Sequence, residues 1–137
     1  MINLFTYGSL MCSDIMYKVA GCRFESDQAI LNDFYRSKIQ NEEYPGIVPQ
    51  SGSKVSGVLY LALSPEALQR LDLFEGELYQ RQEVGVLSEN HGRVRAMTYV
   101  IKPGYGDLLT GETWSFNHFL AVGKKKFQAS YLGFQGI

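Results

Sequence analysis

Residues 55–76 constrain this chain more than any other stretch, because they specify a strand that runs directly into a helix. Val55, Gly57, Leu59, Leu61 and Leu63 alternate with Ser56, Val58, Tyr60 and Ala62, the two-residue period of a β-strand. Ser64 and Pro65 follow at once. Serine is a strong N-cap, and proline suits the first helical position, where its missing amide hydrogen costs nothing. Leu68, Leu71 and Glu75 then share one helical face at i, i+3, i+7 spacing, and Gly76 supplies a stop.

The flanking segments extend this pattern. Ile2 to Tyr7 reads as a strand that is apolar on both faces and therefore central, and Tyr7 to Leu10 as a turn. Ser13 or Asp14 can cap a short helix through Val19, stopped by Gly21. Ala29 to Tyr35 is a second strand, weakened by Asn32-Asp33. Glu43-Tyr44-Pro45-Gly46 is a turn before a short Ile47-Val48 strand. Arg81 to Leu87 and Arg93 to Ile101 are strands joined by a hairpin at residues 88–92. Pro103-Gly104-Tyr105-Gly106 is a loop. A last helix starts near residues 113–115, with Phe116, Phe119, Leu120, Phe127 and Tyr131 on its apolar face. Many strands, a hairpin and only two or three helices predict an α+β domain, built on a small, curved mixed sheet or barrel. The 137 residues suit one domain spanning 1–137.

Composition narrows the function classes. Net charge is −1 and the pI about 6.1, so no basic field invites nucleic acid or an anionic membrane. Lys124-Lys125-Lys126 is the only basic cluster and reads as a solvated helix face. No apolar run approaches the ~20 residues of a membrane helix, and the N-terminal residues lack the pattern of a signal peptide. Cys12 and Cys22 make no disulfide framework, and free thiols fit a cytoplasmic protein. With His91 and His118 they show no metal-ligand spacing. A nucleophilic Cys12 lacks a histidine tied to it, so it reads as a buried structural cysteine.

Two short segments carry what chemistry there is. Glu75 ends the helix begun at Pro65, where the macrodipole disfavours negative charge. Asp72 precedes it by three residues and Glu77 follows by two. Sharing a face with Leu68 and Leu71, it should point inward, and burial and like charge both raise a carboxylate pKa. That is what a general acid/base needs. The alternative is an exposed acid or an ion-pair partner of Arg81. In Tyr7-Gly8-Ser9-Leu10, a strand ending in a glycine turn can aim successive amides at a carboxylate, with Gly8 permitting close approach or positive φ. The alternative is an ordinary strand-to-helix turn. Tyr35, Tyr44, Tyr60, Tyr79, Tyr99 and Tyr105 are mostly core or barrel-rim residues. Tyr79 and Tyr105 stand at loop positions from which a hydroxyl can reach a ligand.

At this point the residues resemble a known family. Phe5-Thr6-Tyr7-Gly8-Ser9-Leu10, Tyr44-Pro45-Gly46-Ile47-Val48, Val55-Ser56-Gly57-Val58-Leu59-Tyr60, and Leu71-Asp72-Leu73-Phe74-Glu75-Gly76 with Tyr79 and Arg81 are similar, in order and spacing, to the gamma-glutamylcyclotransferase-like family. The nearest branch is the AIG2-like and gamma-glutamylamine cyclotransferase type. The likeness spans about Met1 to Ile101. It implies a compact mixed β-barrel with flanking helices, a substrate α-carboxylate on the amides of residues 7–10, and Glu75 as acid/base. The implied reaction is intramolecular. The substrate α-amine attacks its own γ-carbonyl, giving 5-oxoproline and a free amine or amino acid, with no cofactor and no metal. The implied partner is a small γ-glutamyl molecule, while the substrate's identity, turnover and the oligomeric state stay open. Two rivals remain: a non-catalytic module binding a γ-glutamyl or amino-acid-like ligand, and a structural protein in which Glu75 pairs with Arg81.

Overall fold

The structure is a computed structural model that describes residues 1–130. Five strands close a ring: β1 (Ile2–Thr6), β2 (Ser26–Ile39), β3 (Pro45–Leu63), β4 (Tyr79–Ser88) and β5 (Gly92–Ile101). Around the barrel the order is β1-β5-β4-β2-β3, and β3 pairs back to β1. The β1–β5 pairing is parallel and the others antiparallel, so the barrel is mixed. A sixth strand, β6 (Leu109–Thr113), adds to the far end of β2. The helices are α1 (Ser13–Ala20), α2 (Pro65–Glu75), α3 (Phe116–His118) and α4 (Lys124–Ser130), with a π turn at Phe119–Gly123 between the last two.

Two apolar layers explain the closure. Phe5, Leu31, Ile47, Val55, Leu59, Val86, Ala96 and Val100 come from all five barrel strands and no helix, and fill the interior. Leu4, Tyr60, Leu63 and Ile101 point outward against Ile15, Met16, Leu68, Leu71, Phe119 and Phe127 of the helices. Successive residues of β1 and β3 therefore serve opposite layers, and both faces of β1 are buried. Each fully buried side chain of this kind stabilises the fold by roughly 1.5–3 kcal/mol.

The strand-to-helix step is as the sequence predicts. The Ser64 hydroxyl accepts from the amide of Ala67 at 3.2 Å, and the amide of Gly76 donates to the carbonyl of Asp72 at 3.2 Å with φ +75°. One detail of the alternation changes. Ala62 has φ +58° and the β1–β3 register shifts beside it, so Leu63 joins the outer layer rather than the barrel interior of Leu59.

Several boundaries differ from the sequence expectation. β2 covers 14 residues rather than Ala29–Tyr35, bulging at Asp33 with φ +65°. The separate Ile47-Val48 and Val55–Leu63 strands are parts of one long β3, and Pro45-Gly46 belongs to it. β6 follows the loop of residues 103–106 in a stretch to which the sequence assigns no element, because the edge of β2 offers it partners. The N-cap of α1 is Cys12, with no side-chain cap; Asp14 accepts from the Ile15 amide. In the C-terminal helical run, Phe119, Gly123 and Phe127 are buried while Leu120 is 47% exposed, because the π turn and four-residue spacing rotate Leu120 outward. Tyr131 lies outside the described residues. Among those residues no helix is long and apolar enough to cross a membrane. Lys124 pairs with Asp14 at 2.8 Å, whereas Lys125 and Lys126 are exposed.

Candidate active site

One narrow cleft opens where β1 ends, between the residue 7–10 turn and the C-terminus of α2. It is lined by Phe5, Thr6, Tyr7, Gly8, Ser9, Leu10, Tyr44, Pro45, Glu75, Tyr79 and Tyr99, and its interior offers about 20 Å3. It suits the end of a small ligand rather than a large one.

The loop wall is held by its carbonyls, and Tyr7, Gly8, Ser9 and Leu10 all line the cleft. The Met11 amide donates to the Gly8 carbonyl at 3.0 Å and the Cys12 amide to the Ser9 carbonyl at 3.1 Å, forming a 3-10 turn over Ser9–Met11. The Tyr60 hydroxyl donates to the Leu10 carbonyl at 2.8 Å, and Arg36 Nη1 to the Tyr7 carbonyl at 2.9 Å. The amides of Gly8, Ser9 and Leu10 donate to no acceptor among the described residues. Three consecutive unpaired amides at the start of a helical turn form a concavity for an anion.

Gly8 is needed here for space, not for the positive φ the sequence leaves open. Its φ is −135°. A Cβ at Gly8 would lie 2.7 Å from Cδ and 3.0 Å from Cγ of Pro45. Pro45 is itself anchored, since its carbonyl accepts from the Tyr79 hydroxyl at 2.8 Å.

Opposite the loop stands Glu75. Its residue is partly buried, and burial first, then the Asp72 carboxylate, raises its pKa from 4.5 to about 8. Arg81 does not pair with it. Arg81 Nε donates instead to Asp72 Oδ1 at 3.0 Å, and the Tyr99 hydroxyl donates to the same oxygen at 2.7 Å. Asp72 thus has two donors, while the Glu75 side chain has no hydrogen-bond or ion-pair partner among the described residues. The ion-pair alternative for Glu75 fails on this geometry. Between the two walls, the Tyr7 hydroxyl donates to the Tyr99 carbonyl at 2.6 Å. Burial and the nearby Glu75 push its pKa well above the ordinary tyrosine value, so it remains a neutral donor.

Of the sequence-predicted residues, the fold gathers Glu75, Tyr7, Gly8, Ser9, Leu10 and Tyr79 around this cleft. Tyr79 reaches it with its hydroxyl already committed to Pro45. Tyr105 is not brought in; it stands 36% exposed on the loop after β5, outside the cleft wall. Phe5, Thr6, Tyr44, Pro45 and Tyr99 line the cleft without having been singled out as site residues. The Tyr44-Pro45-Gly46 signal reads locally as a turn, and nothing local shows that it faces Gly8. Cys12 is buried, with a thiol pushed up to about 11 by desolvation, and is no nucleophile at neutral pH.

The family model for gamma-glutamyl cyclotransferase, AIG2-like, matches residues 4–116. An Arabidopsis thaliana protein called AIG2-like protein D is 33% identical over 121 residues, covering 87% of this chain and 79% of its own. A solution structure of another A. thaliana protein superposes with a TM-score of 0.74 at 28% identity, covering 94% of this chain and 78% of that one. A yeast gamma-glutamyl cyclotransferase described as specific to glutathione shares the fold, with a TM-score of 0.64 at 16% identity over 95% of this chain and 87% of its own. With a closed five-stranded mixed barrel, flanking helices and a family match across most of its length, this chain belongs to the AIG2-like gamma-glutamyl cyclotransferase family.

Proposed function

We propose that the cleft takes the γ-glutamyl end of a small molecule and closes it to 5-oxoproline, releasing an amine or amino acid. One observation carries this: an unpaired carboxyl of raised pKa and a loop with three unpaired amides line the same narrow cleft. The amides of Gly8, Ser9 and Leu10 hold the substrate α-carboxylate through charge-assisted hydrogen bonds. That fixes the neighbouring α-amino group close to Glu75. The carboxylate of Glu75 takes a proton from the α-ammonium. The freed nitrogen attacks the γ-carbonyl, forming the ring C–N bond while the old amide C–N bond breaks. Glu75 returns that proton to the departing nitrogen and then carries away the second proton of the ring nitrogen, so that 5-oxoproline keeps one N–H, the released amine leaves as its ammonium ion, and the carboxylate is regenerated. Holding the amine in near-attack geometry contributes several kcal/mol, up to roughly 7–11 in well-oriented systems. The proton relay contributes ~10²–10⁴ in rate. The chain acts as a cofactor-independent enzyme on a small molecule, and its free thiols suit a cytoplasmic setting.

The test is release of 5-oxoproline from a panel of γ-glutamyl amines, γ-glutamyl-lysine and γ-glutamyl amino acids. Product from at least one class is expected. A panel that binds without any product would replace the enzyme with a binding module for the same ligands.

A further inference from the structure

Arg36, on β2, stands directly behind the amide loop. Its Nη1 donates to the carbonyl of Tyr7 at 2.9 Å and to that of Ser56 at 3.1 Å. Its guanidinium lies over Trp114, with Cζ 5.2 Å from the ring centroid. Its Nε is buried and has no hydrogen-bond partner among the described residues. No carboxylate among them lies within ion-pair reach of it. Taking a guanidinium out of water is costly, and in most proteins a paired carboxylate offsets that cost. Here the positive charge is retained without an anion, one peptide away from three open amide donors.

The peptide geometry makes the connection specific. The carbonyl of Tyr7 and the amide of Gly8 belong to one planar trans unit and point in opposite directions. Fixing the carbonyl toward Arg36 therefore fixes the Gly8 N–H away from it, on the side where Gly8 lines the cleft. The Tyr7 hydroxyl, on the cleft wall, feels the charge of both Glu75 and Arg36.

We propose that Arg36 is a positioning residue for anion capture: it orients the Tyr7–Gly8 peptide and supplies the uncompensated positive charge that a bound α-carboxylate answers. The proposal rests on the cleft assignment given above. It adds a second source of carboxylate selectivity that never touches the reacting atoms. Lysine at this position keeps the charge but has a single nitrogen to reach the carbonyls, whereas glutamine keeps a donor and loses the charge.

The probes are 5-oxoproline and its neutral amide, titrated by calorimetry and by amide NMR into wild type, Arg36→Lys and Arg36→Gln. In wild type the acid should move the Gly8, Ser9 and Leu10 amide signals. Arg36→Gln should weaken the acid about tenfold, the order expected of a partly buried unit charge several ångströms away, and leave the neutral amide within about twofold. Arg36→Lys should restore the acid to within about threefold of wild type. With a turned-over substrate, KM should rise in Arg36→Gln while kcat stays near its wild-type value, because Glu75 is untouched. The proposal is overturned if Arg36→Gln binds the acid as wild type does, or if both variants weaken acid and amide alike. A wild type that binds neither probe at the loop overturns it as well. Should Arg36→Gln fail to fold, the wild-type Arg36 Nε–H signal decides: it should shift with the acid and not with the amide, and an unmoved signal ends the proposal. A wild type that binds the acid in this Arg36-dependent way yet releases no 5-oxoproline refutes the reaction and keeps Arg36. A wild type that turns over equally well as Arg36→Gln does the reverse.

Discussion

Glu75 occupies the last position of α2, where burial first and the Asp72 carboxylate second oppose its charge, and its pKa rises to about 8. The consequence for stability has a definite sign. Between the ordinary value of 4.5 and about 8 the folded protein holds a proton that the unfolded chain has released. Stability therefore falls as pH rises through that window, and the full penalty is present above about 8. At about 1.4 kcal/mol per unit the ceiling is near 5 kcal/mol, and water at the cleft mouth reduces it to about 2–3 kcal/mol. Glu75→Gln should accordingly fold, match wild type at about pH 5 and melt higher than wild type at about pH 9. It should also lose at least ~10² in 5-oxoproline release while still binding ligand. Normal turnover in this variant would end the acid/base assignment, and an unfolded variant would make Glu75 structural. The same pKa sets the pH profile. Glu75 must be ionised to accept the ammonium proton, so kcat/KM should rise with pH toward a limb near 8. Asp72→Asn removes the like charge and should move that limb to lower pH. A limb that stays in place would assign the raised pKa to burial alone.

At the scale of elements, the loop after β1 is built as a unit, with carbonyls pinned and amides left open. Tyr60 holds the Leu10 carbonyl, Arg36 the Tyr7 carbonyl, and Tyr79 the Pro45 carbonyl on the facing strand β3. Gly8 and Pro45 then approach too closely for a side chain between them. Gly8→Val should cost about 1–3 kcal/mol through overpacking against Pro45, more than its extended φ alone would suggest. It should also reduce 5-oxoproline affinity, because the loop can relieve the clash only by moving its amides. Melting and calorimetry on the same preparation separate the two effects. Unchanged affinity in a folded Gly8→Val protein would remove the loop from the site. The C-terminal run makes a contrasting element, with Phe119, Gly123 and Phe127 turned inward by a π turn that spacing alone does not announce.

Over the whole molecule, closure of the barrel depends on β1 and β3 lying unusually near each other at Gly57. A Cβ there would sit 2.1 Å from the Thr6 carbonyl oxygen and 2.7 Å from Phe5 Cζ. Backbone cannot yield as a flexible side chain can, so Gly57→Ala should cost about 3 kcal/mol or more and lower the melting temperature by roughly 10 °C. A melt within a degree or two of wild type would show that the barrel breathes at this seam. Local sequence determined the parts whose conformation depends on their own torsions and caps. These are the Val55-to-Gly76 strand and helix with Ser64 at its start, the hairpin turning at Gly92 with φ +69°, and the inward placing of Glu75 after Leu68 and Leu71. Resemblance in four ordered motifs extended this to the family. Tertiary structure decided the rest. β2 runs through Asp33, Arg36 and Lys38, which no local pattern marks as strand, because β3 supplies twelve matched partners along it. β6 exists because the end of β2 has an open edge. Arg81 could reach either acid from its place in sequence, and the packing of Tyr99 beside Asp72 settled which one. The same packing left Glu75 unpaired opposite the Gly8 loop. Periodicity encodes which face of an element is apolar, but which faces meet, and which charges are then left without partners, is fixed only when the barrel closes.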